Sequence, residues 1–259
     1  MSEYVYYYQL IQQCFGTSYF GDIAAELAGL LNFSFQEFTI LKESRLVRSK
    51  KLFYSDTVII DGLKIIYPGS AEELYILYSL KEPLAGGEKY KQLSINKPDI
   101  IRPISIDFAY SKDICTTGLK WNNFDIRFEL MKKRSSQTGG IIGFLAYKEE
   151  IPVALIEFIC EKNCIYPIPD KRSDFLFINC LYNFPSVLYD YRPFLLREAV
   201  SFAAEHGFRG FTAICSLNSV IPNGPVQFFE AMDFKKICLL DRVLTQYYWE
   251  DIFLMKYIL

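Results

Sequence analysis

Glu157 is the side chain placed best for moving a proton. It stands in Ala154-Leu155-Ile156-Glu157-Phe158, an apolar run that reads as a central strand. A carboxylate held there can serve as a general base; it can equally be an ordinary residue on the polar face of an alternating strand. Arg192, next to Pro193, carries a guanidinium able to bind a phosphate through two bonds, or is a surface arginine near a helix start. His206 is the only histidine. It falls at a helix C-terminus, where a cation is stabilised by about 0.3 to 1 kcal/mol, so a Ser-His or Cys-His nucleophile has no obvious member. Cys160 and Cys164 lie four apart without a second Cys or His pair, so no metal site is expected. Cys14 stands alone and reads as a small residue at a strand end.

These residues need a scaffold, and the chain is long enough for two domains. Hydrophobic residues make up 51%, with 22 Phe and 19 Tyr, which describes a globular chain burying many rings. The 28 basic and 30 acidic residues are interspersed, so no basic stripe exists to follow a nucleic acid. Seven cysteines without a repeating spacing suit reduced thiols. With neither a signal-like N-terminus nor an apolar run near the roughly 20 residues that cross a bilayer, a cytoplasmic protein without membrane contact is expected.

The segment from Lys81 to Pro98 carries Pro83, Gly86-Gly87 and four lysines, the composition of a connection. It divides the chain into residues 1–85, a linker at 86–100, and residues 101–259. In the first part Tyr4 to Ile11 reads as a strand, Ile23 to Leu31 as a helix, and Ser34 to Leu41 as a second strand. A hairpin over Thr57 to Tyr67 turns at Asp61-Gly62, and a helix begins at Ser70, with Glu73 at capping-box spacing. In the second part a strand over Asp107 to Tyr110 and a helix over Asn123 to Lys133 are expected. Then come a hairpin, Ile141 to Tyr147 with Pro152 to Ile159, and a strand from Phe175 to Tyr182. A helix from Pro193 closes at His206-Gly207, followed by a strand from Gly210 to Cys215, a short helix from Pro225 to Met232, and strands at Lys235 to Leu240 and Asp251 to Ile258.

That second order, with Phe177-Ile178-Asn179-Cys180-Leu181, Ala203-Ala204-Glu205-His206-Gly207 and Phe228-Phe229-Glu230 before Phe234, resembles the GNAT superfamily of N-acetyltransferases. The first part resembles a thioredoxin-like fold, with Cys14 after the first strand, Thr17 where a second cysteine would stand and Asp56 where a cis-proline would. Lacking two sulfurs, it is not expected to be an oxidoreductase. The resemblance implies an α/β (α+β) chain: a GNAT-like mixed central sheet flanked by helices, preceded by a small thioredoxin-like domain.

It also implies acetyl-CoA as cofactor and the amine of a small molecule or peptide as acceptor; homodimerisation stays open. The strands Phe175 to Tyr182 and Gly210 to Cys215 would splay and admit the pantetheine arm, with backbone contacts at Leu181, Tyr182 and Asn183. The pyrophosphate would sit at the helix N-terminus near Tyr191 and Arg192. The family's glycines are absent there: the matching stretch is Val187-Leu188-Tyr189-Asp190-Tyr191-Arg192-Pro193. Tyr189 and Tyr191 fill the space glycine leaves, Asp190 adds a negative charge, and Arg192 compensates. Lys235 and Lys236 would meet the ribose phosphate or form a solvated strand end. Glu157 would take the amine proton, and Tyr182 would be the acid, since Phe229 stands where the family often has tyrosine. Trp121 and Asn122 would line the acceptor pocket, or Trp121 would anchor the linker. A non-catalytic binding protein of the same fold is the alternative.

Overall fold

The computed structural model describes residues 3–10, 19–84, 91–105, 129, 132, 135–184, 187–218 and 223–259. The chain opens with β1 (Tyr4–Leu10), α1 (Tyr19–Leu31), β2 (Ser34–Ile40), α2 (Arg45–Lys50), β3 (Asp56–Ile60), β4 (Leu63–Ile65) and α3 (Ala71–Leu80). β1 runs parallel to β2 and antiparallel to β3, and β3 turns into β4 through Asp61 and Gly62, both at positive φ. Those two left-handed residues match the right-handed twist of the flanking strands. Ser70 caps α3 by accepting from the Glu73 amide at 3.1 Å, while the Glu73 carboxylate accepts from the Gly69 amide. The Glu73 reach therefore extends one residue beyond a standard capping box. α2 was not anticipated by the apolar spacing; it is one short turn capped by Ser44.

The second part contains β5 (Ser94–Ile95), β6 (Ile100–Ser105), β7 (Ile141–Lys148), β8 (Ile151–Cys160), β9 (Leu176–Asn183), β10 (Tyr189–Asp190), α4 (Arg192–Glu205), β11 (Gly210–Ser216), α5 (Val226–Ala231), β12 (Lys235–Leu244) and β13 (Trp249–Ile258). β6 is an edge strand, where Pro103 costs no central ladder bond. The expected strand at Asp107 to Tyr110 lies outside the described residues, as does most of the helix expected at Asn123 to Lys133. The β7–β8 turn places Glu149 and Glu150 at positive φ.

One mixed sheet of eleven strands results, in the order β2-β1-β3-β4-β12-β13-β11-β9-β8-β7-β6. It joins the parts on either side of the expected linker at 86–100, because Ile65 of β4 pairs with Leu244 of β12 and the Ile66 amide donates to the Leu244 carbonyl. On one face α4 and α5 bury Leu195, Leu196, Ala199, Phe202 and Phe229 against β8, β9 and β11. Phe202 meets Phe158 at 5.3 Å between ring centroids, and each such buried side chain contributes about 1.5 to 3 kcal/mol. On the opposite face Tyr54, Val243, Ile214, Phe177 and Leu155 share one core. A third core packs α1 and α3 on β1, β3 and β4. No described helix is long and apolar enough to cross a membrane.

Candidate functional site

The sheet opens where β9 and β11 stop pairing. They run parallel and are joined only at Leu176 with Phe211, Phe177 with Thr212 and Ile178 with Ala213. β9 then continues against β8 as far as Asn183, and β11 against β13 as far as Ser216, which also bridges Pro225 in parallel. The parting coincides with a β-bulge. Glu157 faces Cys180 and Phe158 faces Ile178, which leaves Asn179 as the extra residue of β9. A bulge bends its strand and sharpens the local twist, turning β9 away from β11.

Asn223 sits in the notch with no exposed surface. Its Nδ2 donates to the Ile178 carbonyl at 3.3 Å and the Ile214 carbonyl at 3.1 Å, one from each strand. A single side-chain amide thus takes the carbonyls of the last paired residue of β9 and the first unpaired residue of β11. Its Oδ1 is buried without a hydrogen-bond partner among the described residues.

Glu157 is 3% exposed and lies opposite Gly143 of β7. A Cβ at Gly143 would fall 2.0 Å from the Ile156 carbonyl oxygen, so glycine permits the close approach of β7 to β8 at this point. Leu155 and Ile159 belong to the core that Tyr54 shares, and Tyr182 packs on the same core. Strand alternation therefore turns Glu157 to the same face as Tyr182. Leu155 pairs with Tyr182 and Glu157 with Cys180, so the two expected proton-handling residues are diagonal neighbours, about 7 to 8 Å apart between backbones. Leu181 instead points into the α4 side, 1% exposed.

At the start of α4 every donor is committed. The Tyr191 amide donates to Asn183 Oδ1 at 3.1 Å and the Arg192 amide to Asp190 Oδ1 at 3.1 Å. Pro193 has no N–H, and the Phe194 and Leu195 amides donate to the Tyr191 carbonyl. Asp190 also accepts from Asn183 Nδ2 at 3.0 Å, Arg192 Nε at 2.9 Å and Arg192 Nη2 at 2.7 Å. Asp190 and Arg192 are 2% and 4% exposed, so Arg192 is not a surface side chain. Its guanidinium lies 4.3 Å over the Phe228 ring, and a Cβ on Gly224 would come within 3.0 Å of its Nη1. Tyr191 is buried in the α4 core, while Tyr189 stands 43% exposed. β10 is held from outside by β5, which lies in the expected linker: Asp190 pairs with Ile95 and the Asn96 amide donates to the Asp190 carbonyl.

Coenzyme A fits this arrangement in part. Past Ile178 and Ala213 the ladder is broken, which suits an amide-bearing arm, while the Ile178 and Ile214 carbonyls are already held by Asn223. The start of α4 offers a pyrophosphate neither a free amide nor open space, and sets a carboxylate where its charge would lie.

Trp121, Asn122, Cys14 and Thr17 lie outside the described residues. Phe229 is fully buried between Phe228 and Phe234. Lys236 lies 4.6 Å over the Phe253 ring and 3.9 Å from the Glu230 carboxylate. The His206 ring nitrogen Nδ1 meets the Phe202 carbonyl at 2.9 Å, at the end of α4. Cys160 and Cys164 are buried free thiols, Cys164 pushed up to about 12 chiefly by burial, and no metal-binding group occurs among the described residues. Sequence reasoning missed Asn223 and the side chain of Asn183. An asparagine at a strand end or in a loop carries no signal for either role; the Asp-Tyr-Arg spacing was visible, but not its inward turn.

No family model matches the sequence, and no curated protein matches it. Among solved structures, a ribosomal-protein-alanine N-acetyltransferase from Brucella melitensis aligns at 14% identity and TM-score 0.43, over 62% of this chain and 99% of its own. A putative acetyltransferase from Salmonella typhimurium, solved with acetyl-CoA, aligns at 13% and 0.43, over 61% and 92%. An acetyltransferase of the GNAT family from Streptococcus pneumoniae aligns at 13% and 0.41, over 62% and 99%.

Proposed function

We infer that the chain is an N-acyltransferase that takes its acyl group from a thioester whose arm lies between β9 and β11. The observation that carries this reading is the parting of those strands at the Asn179 bulge, which ends their ladder after Ile178 and Ala213. Glu157 accepts the proton of the attacking amine and Tyr182 returns one to the departing sulfur. The N–C bond forms as the C–S bond breaks, and the acceptor is the amine of a small molecule or peptide. Residues 1–85 form a thioredoxin-like unit in this reading, supported by the strand order β2-β1-β3-β4 with β1 parallel to β2 and antiparallel to β3. Residues 86–100 connect it to the acyltransferase unit at 101–259.

Calorimetry with acetyl-CoA and with acetyl-pantetheine, followed by acetyl transfer to a panel of amines, tests this. Binding of at least one thioester is expected, and Glu157→Gln should lower turnover by about 10²- to 10⁴-fold with binding retained. No heat from either thioester at high micromolar concentration defeats the proposal. The competing reading, a non-catalytic binding protein of the same fold, draws on the saturated start of α4 and on Phe229. It is discarded if the protein acetylates an amine and Glu157→Gln abolishes the transfer.

A further inference from the structure

We propose that Asp190 is the resident anion of the α4 N-terminus, so that the donor is recognised through its pantetheine arm and not through a nucleotide diphosphate. The proposal rests on the acyl-transfer reading for the donor's identity, and on the geometry at Asp190 alone for the occupied N-terminus.

A helix N-terminus attracts anions because its first amides lack helical partners and its dipole is positive there. In α4 the Arg192 amide and the Nε–Nη2 edge of the Arg192 guanidinium are spent on one carboxylate, that of Asp190. The Tyr191 amide is spent on Asn183, which also donates to Asp190. This carboxylate has the charge, the position and the hydrogen bonds that a phosphate oxygen would otherwise take. It cannot readily leave, because its backbone is paired to β5 and its partner guanidinium is held over Phe228 and under Gly224. A pyrophosphate arriving here would meet a desolvated carboxylate and no unoccupied amide. The notch between β9 and β11 lies outside this arrangement, and the break in the ladder after Ile178 and Ala213 suits a pantetheine arm. A thioester without a nucleotide loses nothing at such a site.

The experiment compares acetyl-CoA with acetyl-pantetheine on the full chain, and adds inorganic pyrophosphate as a probe of α4. A working phosphate cradle with two or more charge-assisted bonds would favour acetyl-CoA by on the order of 100-fold or more. Equal binding of the two thioesters, within about threefold, is expected, together with no rise in the wild-type melting temperature on adding millimolar pyrophosphate. Asp190→Asn leaves Arg192 without its anion, and pyrophosphate should then raise the melting temperature of that variant. The double variant Asp190→Asn with Arg192→Gln should lose the response, which separates a vacated anion site from general loosening. Strong preference for acetyl-CoA, or stabilisation of the wild type by pyrophosphate, overturns the proposal while leaving acyl transfer standing. Failure to bind either thioester removes acyl transfer and the donor assignment with it, and the pyrophosphate arm still decides whether Asp190 fills the site.

Discussion

Replacing Arg192 with methionine should be among the most damaging single changes outside the apolar core. The substitution keeps a stem of similar length and removes two side-chain bonds to Asp190, at 2.9 and 2.7 Å, and the guanidinium over Phe228. Asp190 would keep only the Asn183 side chain and the main-chain amide at position 192. Removing one partner of a buried pair costs about 3 to 5 kcal/mol, since the remaining charge stays desolvated. The two surviving bonds place Arg192→Met at the lower end, about 3 kcal/mol. For a chain of this size each kcal/mol moves the melting temperature by about 2 to 4 °C, so a fall of about 6 to 12 °C is expected. Urea unfolding at constant slope reads the same loss as a lower midpoint. The double variant Asp190→Asn with Arg192→Met has no charge left to strand, and should be less destabilised than the sum of its singles by about 2 kcal/mol or more. A loss below about 1 kcal/mol for Arg192→Met, the range of an exposed pair, or additive singles, would refute the buried-pair reasoning.

Gly143→Ala should destabilise by about 1 to 3 kcal/mol, because its Cβ would lie 2.0 Å from the Ile156 carbonyl oxygen; turnover should fall with it as Glu157 shifts, measured by urea midpoint and acetyl transfer. Cys164 supplies a pH dependence: burial lifts its thiol from 9.0 to about 12, so its contribution is complete below pH 9 and is lost as pH climbs from 9 to 12. About 2 kcal/mol should go between pH 9 and pH 11, and Cys164→Ala should flatten that part of the alkaline unfolding profile. Tyr54→Phe should be neutral or stabilising by up to about 1 to 3 kcal/mol, since the Tyr54 hydroxyl is buried without a hydrogen-bond partner among the described residues; a clear loss in the melting temperature would show that it has one.

The elements that sequence periodicity located are those whose cause is local. Asp61-Gly62 supplies two left-handed residues and forces the β3–β4 turn; Ser70 and Glu73 define the start of α3 through adjacent bonds. Elements defined by a distant partner were not visible. β5 and β10 are two residues each and exist only because they pair with one another, 95 positions apart at Asp190 and Ile95. β6 carries Arg102 and Pro103, which give no strand signal until its place on the sheet edge makes them tolerable.

The site divides along the same line, and this bears on what the cleft can take. The order of strands around it was legible because apolar runs mark β8, β9 and β11, but the opening itself is a register property: one extra residue at Asn179 opposite β8, and pairing with β11 that ends one residue earlier. No residue type announces that, since asparagine at a bulge and asparagine in a loop read alike. At α4 the residues were legible and their partners were not. Aspartate two positions before arginine suggests either a repelled phosphate or a rescued one; the buried, bidentate geometry makes it a third case, in which the two side chains answer each other. Charge at this helix start is therefore balanced before any ligand arrives, and under the proposed acyl transfer selectivity for the donor would have to come from the notch between β9 and β11, where Asn223 sits.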